Sequence, residues 1–272
     1  MTDESVEEQE NAAQNEFVEG SEPSSDWAAI AQVRTEPGWK DLATAVGIIW
    51  AIELGLSFLT LAVLFGVSGF NPAALEIRVQ YLLPAMTFSW LGTLVVIWYF
   101  GSRKYCIPLR EAFALRAVSW RKLAYCGAAG LGLAVVAGIL MSFLSTGEGA
   151  IMDLVFDPPS EEGGQPTLSP YFALIAVALP ALEELYYRGF LYGALKRLAG
   201  TSVAIVVVVV WFGIVHAPQL VGDWTGVIVV TIMGGIFTGL RQWFGSIFPS
   251  MVAHVSYNAV LVVAGLIGSS QS

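Results

Sequence analysis

Residues 171–195 read YFALIAVALPALEELYYRGFLYGAL, an apolar run that carries two adjacent acids and an arginine. A membrane-spanning helix needs about 20 predominantly apolar residues, and this run is long enough. A charged side chain in such a segment raises the free energy of membrane insertion by roughly 3 kcal/mol, so it is found mainly where it forms an ion pair or serves a function. The stretch therefore indicates a transmembrane helix in which Glu183, Glu184 and Arg188 belong to a buried site.

The rest of the chain has the composition of an integral membrane protein. Hydrophobic residues make up 56% of its 272 residues and charged residues only 13%, about half the charged fraction of a typical soluble domain. Apolar runs recur near residues 42–66, 81–100, 122–145, 170–195, 202–218, 224–244 and 247–267. We therefore predict an all-α fold, a polytopic transmembrane bundle of about seven to eight helices.

The charge pattern divides the chain into three parts. The net charge of −9 arises in residues 1–26, which hold acids and no base, while the remainder is neutral. We predict that residues 1–26 form a disordered, acidic cytoplasmic tail. We expect residues 27–168 to contain the N-terminal transmembrane helices with a basic loop, and residues 169–267 to form the core that carries the site.

The orientation follows from where Lys and Arg fall between the apolar runs. Six of them lie in segment 102–122, whereas the loop near 146–169 holds five acids and no base. Cytoplasmic loops carry an excess of Lys and Arg. We therefore predict that segment 102–122 and the N-terminus are cytoplasmic.

The acid pair has two different roles available to it. Residues four apart share a helix face, so Glu184 and Arg188 can pair. In a low dielectric the free-energy cost of burying such a pair is far lower than that of burying either charge alone. Glu183 is rotated by about 100° from Glu184, so the arginine cannot serve both acids equally. The remaining carboxylate is a candidate general base for water. The alternative is a purely structural triad that ties helices together.

The only two histidines both lie in apolar runs with a second functional group four residues away. Phe212-x-x-x-His216 places an aromatic ring and an imidazole on one face, and His254-x-x-x-Asn258 places an imidazole beside a carboxamide. The second pair can donate hydrogen bonds to a developing oxyanion. His216 lies about 9 Å past the middle of its run at helical rise, which offsets it from Glu183 in depth.

A metal site is the alternative use of these groups. Imidazole and carboxylate are usual zinc ligands, so Glu183, His216 and His254 could hold a zinc ion. No His-Glu-x-x-His spacing, which would fix a zinc on one helix, is present. We therefore favour no cofactor and keep zinc on these three residues as the alternative.

In this order, Glu183-Glu184-x-x-x-Arg188, Phe212-x-x-x-His216 and His254-x-x-x-Asn258 resemble the CAAX-protease and bacteriocin-processing family, called CPBP or Abi. The flanking segments, 187–191 and 245–250, agree as well, and the resemblance covers about residues 169–262. It implies an endopeptidase that works within the membrane. Eukaryotic members remove the last three residues of prenylated CAAX proteins, and many bacterial members have other substrates. We expect this chain in the cytoplasmic membrane of a bacterium or archaeon.

The resemblance also implies a role for each residue of the motifs. Glu183 would activate the water with help from His216, and His254 with Asn258 would form the oxyanion hole. Glu184 and Arg188 would hold the site together, and we assign Tyr187 and Phe212 to substrate binding. The family is often described as metalloproteases, but the residue set also fits a glutamate-activated water, which we favour.

Two other functions fit the same sequence. A non-catalytic membrane protein, such as an immunity or scaffolding protein, could use the acidic tail to recruit a basic partner. A transporter could use the buried acids and histidines as an ion pathway. For the peptidase, the expected partners are the lipid bilayer and a membrane-embedded or lipidated protein or peptide; no nucleic-acid partner is expected.

Overall fold

The computed structural model describes residues 37–68, 79–144, 178–220 and 222–269. The predicted acidic tail, residues 1–26, lies outside these ranges, as does the acid-rich loop near 146–169. Every regular element in the described ranges is helical. The expected all-α helical bundle is therefore confirmed.

The described helices have bounds close to the apolar runs of the sequence. In chain order they are α1 (Trp39–Ser68), α2 (Val79–Trp98), α3 (Leu109–Ala112), α4 (Trp120–Leu144), α5 (residues 178–199), α6 (Thr201–His216), α7 (Trp224–Phe244) and α8 (Phe248–Ser269). A π-helical segment, Tyr99–Arg103, continues α2. A second one interrupts α5 at Leu185–Leu191, between an α-helical start and the α-helical turns of Tyr192–Ala199.

Four of the described helices are long and apolar enough to cross a membrane: the segments Trp39–Val63, Ala85–Arg103, Trp120–Leu144 and Trp224–Phe244. Helix α6 and the segment Phe248–Ala264 of α8 are apolar but shorter. Large apolar side chains point outward from the long helices, as Phe58 and Phe143 do. Such a surface is suited to lipid and not to water, so the chain is an integral membrane protein.

The helices pack in two apolar clusters. One cluster joins α1, α2, α5 and α6, with Phe113 from the loop after α3. The other joins α4, α7 and α8. Helices α6 and α7 run against each other and connect the two clusters. The charged residues of α5 consequently face α7 and α8 across the boundary between the clusters.

Helix α8, which carries His254, is held very close to α4. A Cβ atom at Gly130 would lie 2.1 Å from the carbonyl oxygen of Ala253, so only glycine allows this approach. The preceding helix, α7, ends just before Gly245, which adopts a left-handed conformation with φ of 64°. The chain turns sharply at this glycine, so that α8 begins a few residues later and packs alongside α4.

Candidate active site

The acid pair lies where α5 changes from α-helical to π-helical geometry. Glu184 is the last residue before the π segment, and Arg188 lies within it. Gly189 makes the segment fit, because a Cβ atom there would lie 3.1 Å from the Phe113 ring. Single π turns inside α-helices are frequent at functional sites. Nothing in the apolar pattern of the sequence predicted this change of geometry.

Glu184 and Arg188 form a fully buried ion pair. Arg188 Nη1 donates to Glu184 Oε1 at 2.9 Å, and both side chains have 0% exposure. The predicted pairing four residues apart is therefore confirmed. The guanidinium also faces the Phe212 ring, with 4.5 Å between Cζ and the ring centroid. A charge at this depth is tolerable only when hydrogen bonds satisfy it.

Helix α7 supplies the remaining acceptors for the arginine. Arg188 Nη2 donates to the Gly234 carbonyl at 2.9 Å, and Arg188 Nε donates to Thr238 Oγ1 at 3.3 Å. The Thr238 hydroxyl donates in turn to the Gly234 carbonyl at 2.7 Å. Sequence reasoning missed Thr238; the only signal was a small residue and a hydroxyl four apart in an apolar helix, a pattern common at helix contacts in membranes.

His254 lies between the two acids. Its Nδ1 is 3.0 Å from Glu184 Oε1, and its Nε2 is 3.8 Å from Glu183 Oε2. The imidazole ring stacks on Phe237, with 4.5 Å between the ring centroids. Because Arg188 holds Glu184 as a carboxylate, we assign the proton of Nδ1 to a hydrogen bond donated to Glu184. Nε2 then points toward Glu183.

Glu183 is the accessible member of the group. Its side chain is 17% exposed, against 0% for Glu184 and 6% for His254. Glu184 is occupied by Arg188 and His254, whereas among the described residues the Glu183 carboxylate has the longer approach to His254 Nε2 and no other ion pair. Of the two acids, Glu183 is thus the one that the described residues do not enclose completely.

His216 lies on the other side of Phe212 from His254. It is the last residue of α6, and its Nδ1 is 2.7 Å from the Phe212 carbonyl oxygen. The Phe212 ring is 4.3 Å from the His216 ring and 6.1 Å from the His254 ring. Within the described ranges no hydrogen bond or ion pair joins His216 to Glu183. The position at the helix end agrees with the depth offset in the sequence.

The remaining predicted residues surround this group. Tyr187 and Phe212 are buried, and their rings meet edge to face at 5.0 Å. A Cβ atom at Gly234 would lie 2.8 Å from the Phe212 ring, so the glycine creates the space that this ring fills. Asn258 follows His254 by four residues on α8 and is partly buried. Its role in an oxyanion hole stays a prediction, as does substrate binding by Tyr187 and Phe212.

Glu183, His216 and His254 are the residues of the zinc alternative. Among the residues that the structure describes, no group of three or more His, Cys, Asp or Glu side chains could hold one. Of the three residues of the zinc alternative, Glu183 and His254 approach each other, but His254 Nδ1 is engaged with Glu184 and His216 lies across Phe212. We therefore derive no step through a metal.

Comparison with known proteins gives one match. Residues 165–260 match the family model described as type II CAAX prenyl endopeptidase Rce1-like. The matched segment contains every residue of the three predicted motifs, whereas α1, α2, α3 and α4 lie outside it. No curated protein and no solved structure matches the chain.

Proposed function

We propose that this chain, whose residues 165–260 match the CAAX prenyl endopeptidase family model, is an intramembrane endopeptidase of the CPBP, or CAAX protease, family that uses a glutamate-activated water. The family supports intramembrane protease activity in general. The observation that carries the finer proposal is the position of His254, which has Glu184 on Nδ1 and Glu183 near Nε2. The proposed substrates are membrane-associated proteins or peptides.

Glu183 is the proposed general base. Its carboxylate is accessible, and it is not engaged by Arg188. In the proposed reaction a water beside Glu183 gives a proton to the carboxylate while its oxygen attacks the carbonyl carbon of the peptide bond. Exclusion of bulk water in a membrane-embedded site strengthens every electrostatic interaction involved.

His254 is the proposed donor to the oxyanion that this attack creates. In the proposed role Nδ1 donates to Glu184 and Nε2–H donates to the oxyanion, so the role requires a proton on each ring nitrogen during this step. Asn258, one turn along α8, is the proposed second donor.

The reaction is completed by return of the proton. Glu183 passes the proton taken from water to the nitrogen of the leaving amine, the carbon–nitrogen bond breaks, and the products are a carboxylic acid and an amine. We keep His216 as the assistant of Glu183. With Nδ1 donating to the Phe212 carbonyl, its Nε2 has a free lone pair that can accept a proton from water.

Glu183→Gln in liposomes tests the mechanism. The probes are a prenylated CAAX peptide and an unlipidated transmembrane peptide, with cleavage followed by mass spectrometry. We expect wild-type protein to cleave at least one of them and the variant to be at least about 100-fold slower, the usual contribution of a general base. The control is Glu111→Gln, which removes an exposed acid of α3.

Three results would count against this mechanism. Full activity in Glu183→Gln would exclude it, and a stoichiometric zinc lost together with activity on chelation would replace it by a metal-dependent one. Ion flux by the purified protein that is lost in Glu183→Gln, with no cleavage of either peptide, would favour the transporter.

His254→Ala and His216→Ala are each expected to abolish cleavage while the protein still inserts.

A further inference from the structure

A cavity lies between α2 and the start of α5. Its volume is about 140 Å³. Apart from one threonine of α2 the lining is apolar, and it consists of Trp90, Leu91 and Leu94 from α2 and Ala178, Leu179 and Leu182 from α5. Ligand pockets are typically concave and apolar in this way. Helix α2 lies outside the family-matched segment, so the cavity combines a wall from the matched segment with a wall from outside it.

The cavity lies beside the proposed general base. Leu182 directly precedes Glu183, and Leu179 lies one helical turn before it on the same face. Four residues of helix correspond to about 6 Å along the axis, and an extended peptide covers that distance in about two residues. A peptide whose scissile bond lies at Glu183 can therefore place a side chain in the cavity from a position within two residues of that bond.

The volume of the cavity matches one large apolar side chain. In another protein, an engineered cavity of about 150 Å³ lined by Leu, Ile and Phe stays dry and binds benzene. The Trp90 ring in the wall can meet a second aromatic ring edge to face, an arrangement that aromatic pairs prefer. A charged group would lose its hydration in this lining without gaining an ionic partner there. A phenyl ring or a branched aliphatic group therefore suits the cavity, and a charged group does not.

The cavity has a closed inner wall and an open outer side. Trp90 and Leu94 pack against the first apolar cluster and form the inner wall. Leu91 is 52% exposed, and Ala178 on the facing helix is exposed as well. These two residues lie at the outer side, where the bundle meets the hydrocarbon. A side chain of a membrane-embedded peptide can therefore enter the cavity without crossing water.

We propose that this cavity is a specificity pocket for one large apolar side chain of the substrate, aromatic or branched aliphatic, within two residues of the cleaved bond. Trp90 and Leu94 contact the bound side chain from α2, and Leu179 and Leu182 contact it from α5. The small side chain of Ala178 leaves the outer side open. The use of the pocket in cleavage rests on the proposed peptidase function, whereas binding of the side chain does not depend on cleavage.

Binding is tested by photocrosslinking of the full-length protein in liposomes, in the Glu183→Gln background so that cleavage does not consume the probe. The probe is a transmembrane peptide with photo-leucine, a diazirine analogue of leucine, at each position in turn. We expect one or two neighbouring positions to label residues 87–94, as identified by mass spectrometry. Ala178→Phe, which fills the cavity, should lose this label. Ala129→Phe, which adds the same ring at an exposed position of α4, should keep it.

Two results of the crosslinking would overturn the pocket. One is the absence of label on residues 87–94 from every peptide position, or the same label with and without Ala178→Phe. The other is labelling by a diazirine-bearing phospholipid that Ala178→Phe abolishes while labelling by the peptide is unaffected, which would identify a lipid groove. Leu91→Trp, which fills the cavity from α2, is the second variant in case Ala178→Phe does not fold.

Substrate selection is tested with transmembrane peptides that carry alanine, leucine or phenylalanine at each position within two residues of the cleaved bond. At one position we expect kcat/KM for leucine or phenylalanine to exceed that for alanine about tenfold in the wild type, the ratio for about 1.4 kcal/mol. Ala178→Phe should bring this ratio close to unity, and Ala129→Phe should leave it unchanged. A ratio that Ala178→Phe does not change contradicts the pocket even if cleavage depends on Glu183. Full activity in Glu183→Gln with a ratio that Ala178→Phe removes would exclude the general base and support the pocket.

Discussion

Helices α1 and α5 each place acids inside an apolar run, but the protein treats those acids in opposite ways. Helix α5 is enclosed, and its Glu184 is bonded to Arg188 and His254 at 0% exposure. In the apolar stretch of α1 that could cross the membrane, only 6% of the residues are buried. Its Glu53 has no ion pair within the described ranges. A fully enclosed charge must be satisfied by the protein itself, whereas an acid on a more open helix is not under that constraint.

Removal of Arg188 from α5 should produce the largest loss of folding stability among the changes considered for the two helices. Arg188→Leu leaves the Glu184 charge buried without its main partner, and breaking a buried pair typically costs about 3–5 kcal/mol. The free energy of unfolding in detergent measures this loss. The control, Arg121→Leu, removes an exposed cation whose contact is the Trp120 ring, and should change stability much less. Equal losses in both variants would mean that Glu184 is not charged in the folded protein.

The threonine on α7 offers a matched comparison with one on α1. Thr238→Val removes the acceptor for Arg188 Nε, and we expect a loss of about 1.5–3 kcal/mol, the range for hydrogen bonds to charged groups. Thr60 also donates to its own helix, to the Leu56 carbonyl at 2.8 Å, so Thr60→Val should be close to neutral. Thr238→Ser should restore most of the stability and of the cleavage rate; failure of this rescue would show that the methyl group matters more than the hydroxyl.

Two glycines should respond to alanine with opposite signs. Gly189→Ala on α5 pushes a methyl group against Phe113, and we expect a loss of about 1 kcal/mol, the low end for overpacking. Gly55→Ala on α1 meets nothing within 4 Å and should gain up to about 1 kcal/mol from helix propensity. Thermal unfolding of both variants in the same detergent checks the signs. A stabilising Gly189→Ala would show that Phe113 moves freely.

The smallest expected effect concerns the start of α1. Asp41 accepts hydrogen bonds from Lys104 and Tyr105, and the bond to Asp41 raises the pKa of Lys104 above 10.5. Stability from a raised lysine pKa is fully present below the ordinary pKa and is lost as pH rises through the raised value. Lys104→Met should thus lower the unfolding midpoint slightly at pH 7, because exposed pairs contribute little. The difference from wild type should shrink above pH 10.5; a constant difference would exclude an ionic origin.

Local periodicity predicted much of this molecule. The helix bounds follow from apolar runs, and the pairing of Glu184 with Arg188 follows from their spacing on one helix. The contact of His254 with Glu184 joins α8 to α5, and the contact of Thr238 with Arg188 joins α7 to α5, so neither is encoded in a local pattern.

The π-helical segment divides α5 into two halves with different rotational phase. Hydrogen bonds from residue i to i+5 make each of its turns wider than an α-turn, so the side chains before Leu185 and after Leu191 do not continue one helical stripe. The half with Glu183 and Glu184 faces α8, while the half Tyr192–Ala199 contacts Gln242 near the end of α7 through Tyr192 and Lys196. The wide turn therefore sets the rotation of the half Tyr192–Ala199 relative to the half that carries the acid pair. A residue gained or lost after Leu191 changes the direction in which the later half faces, whereas Glu183 and Glu184 still face α8.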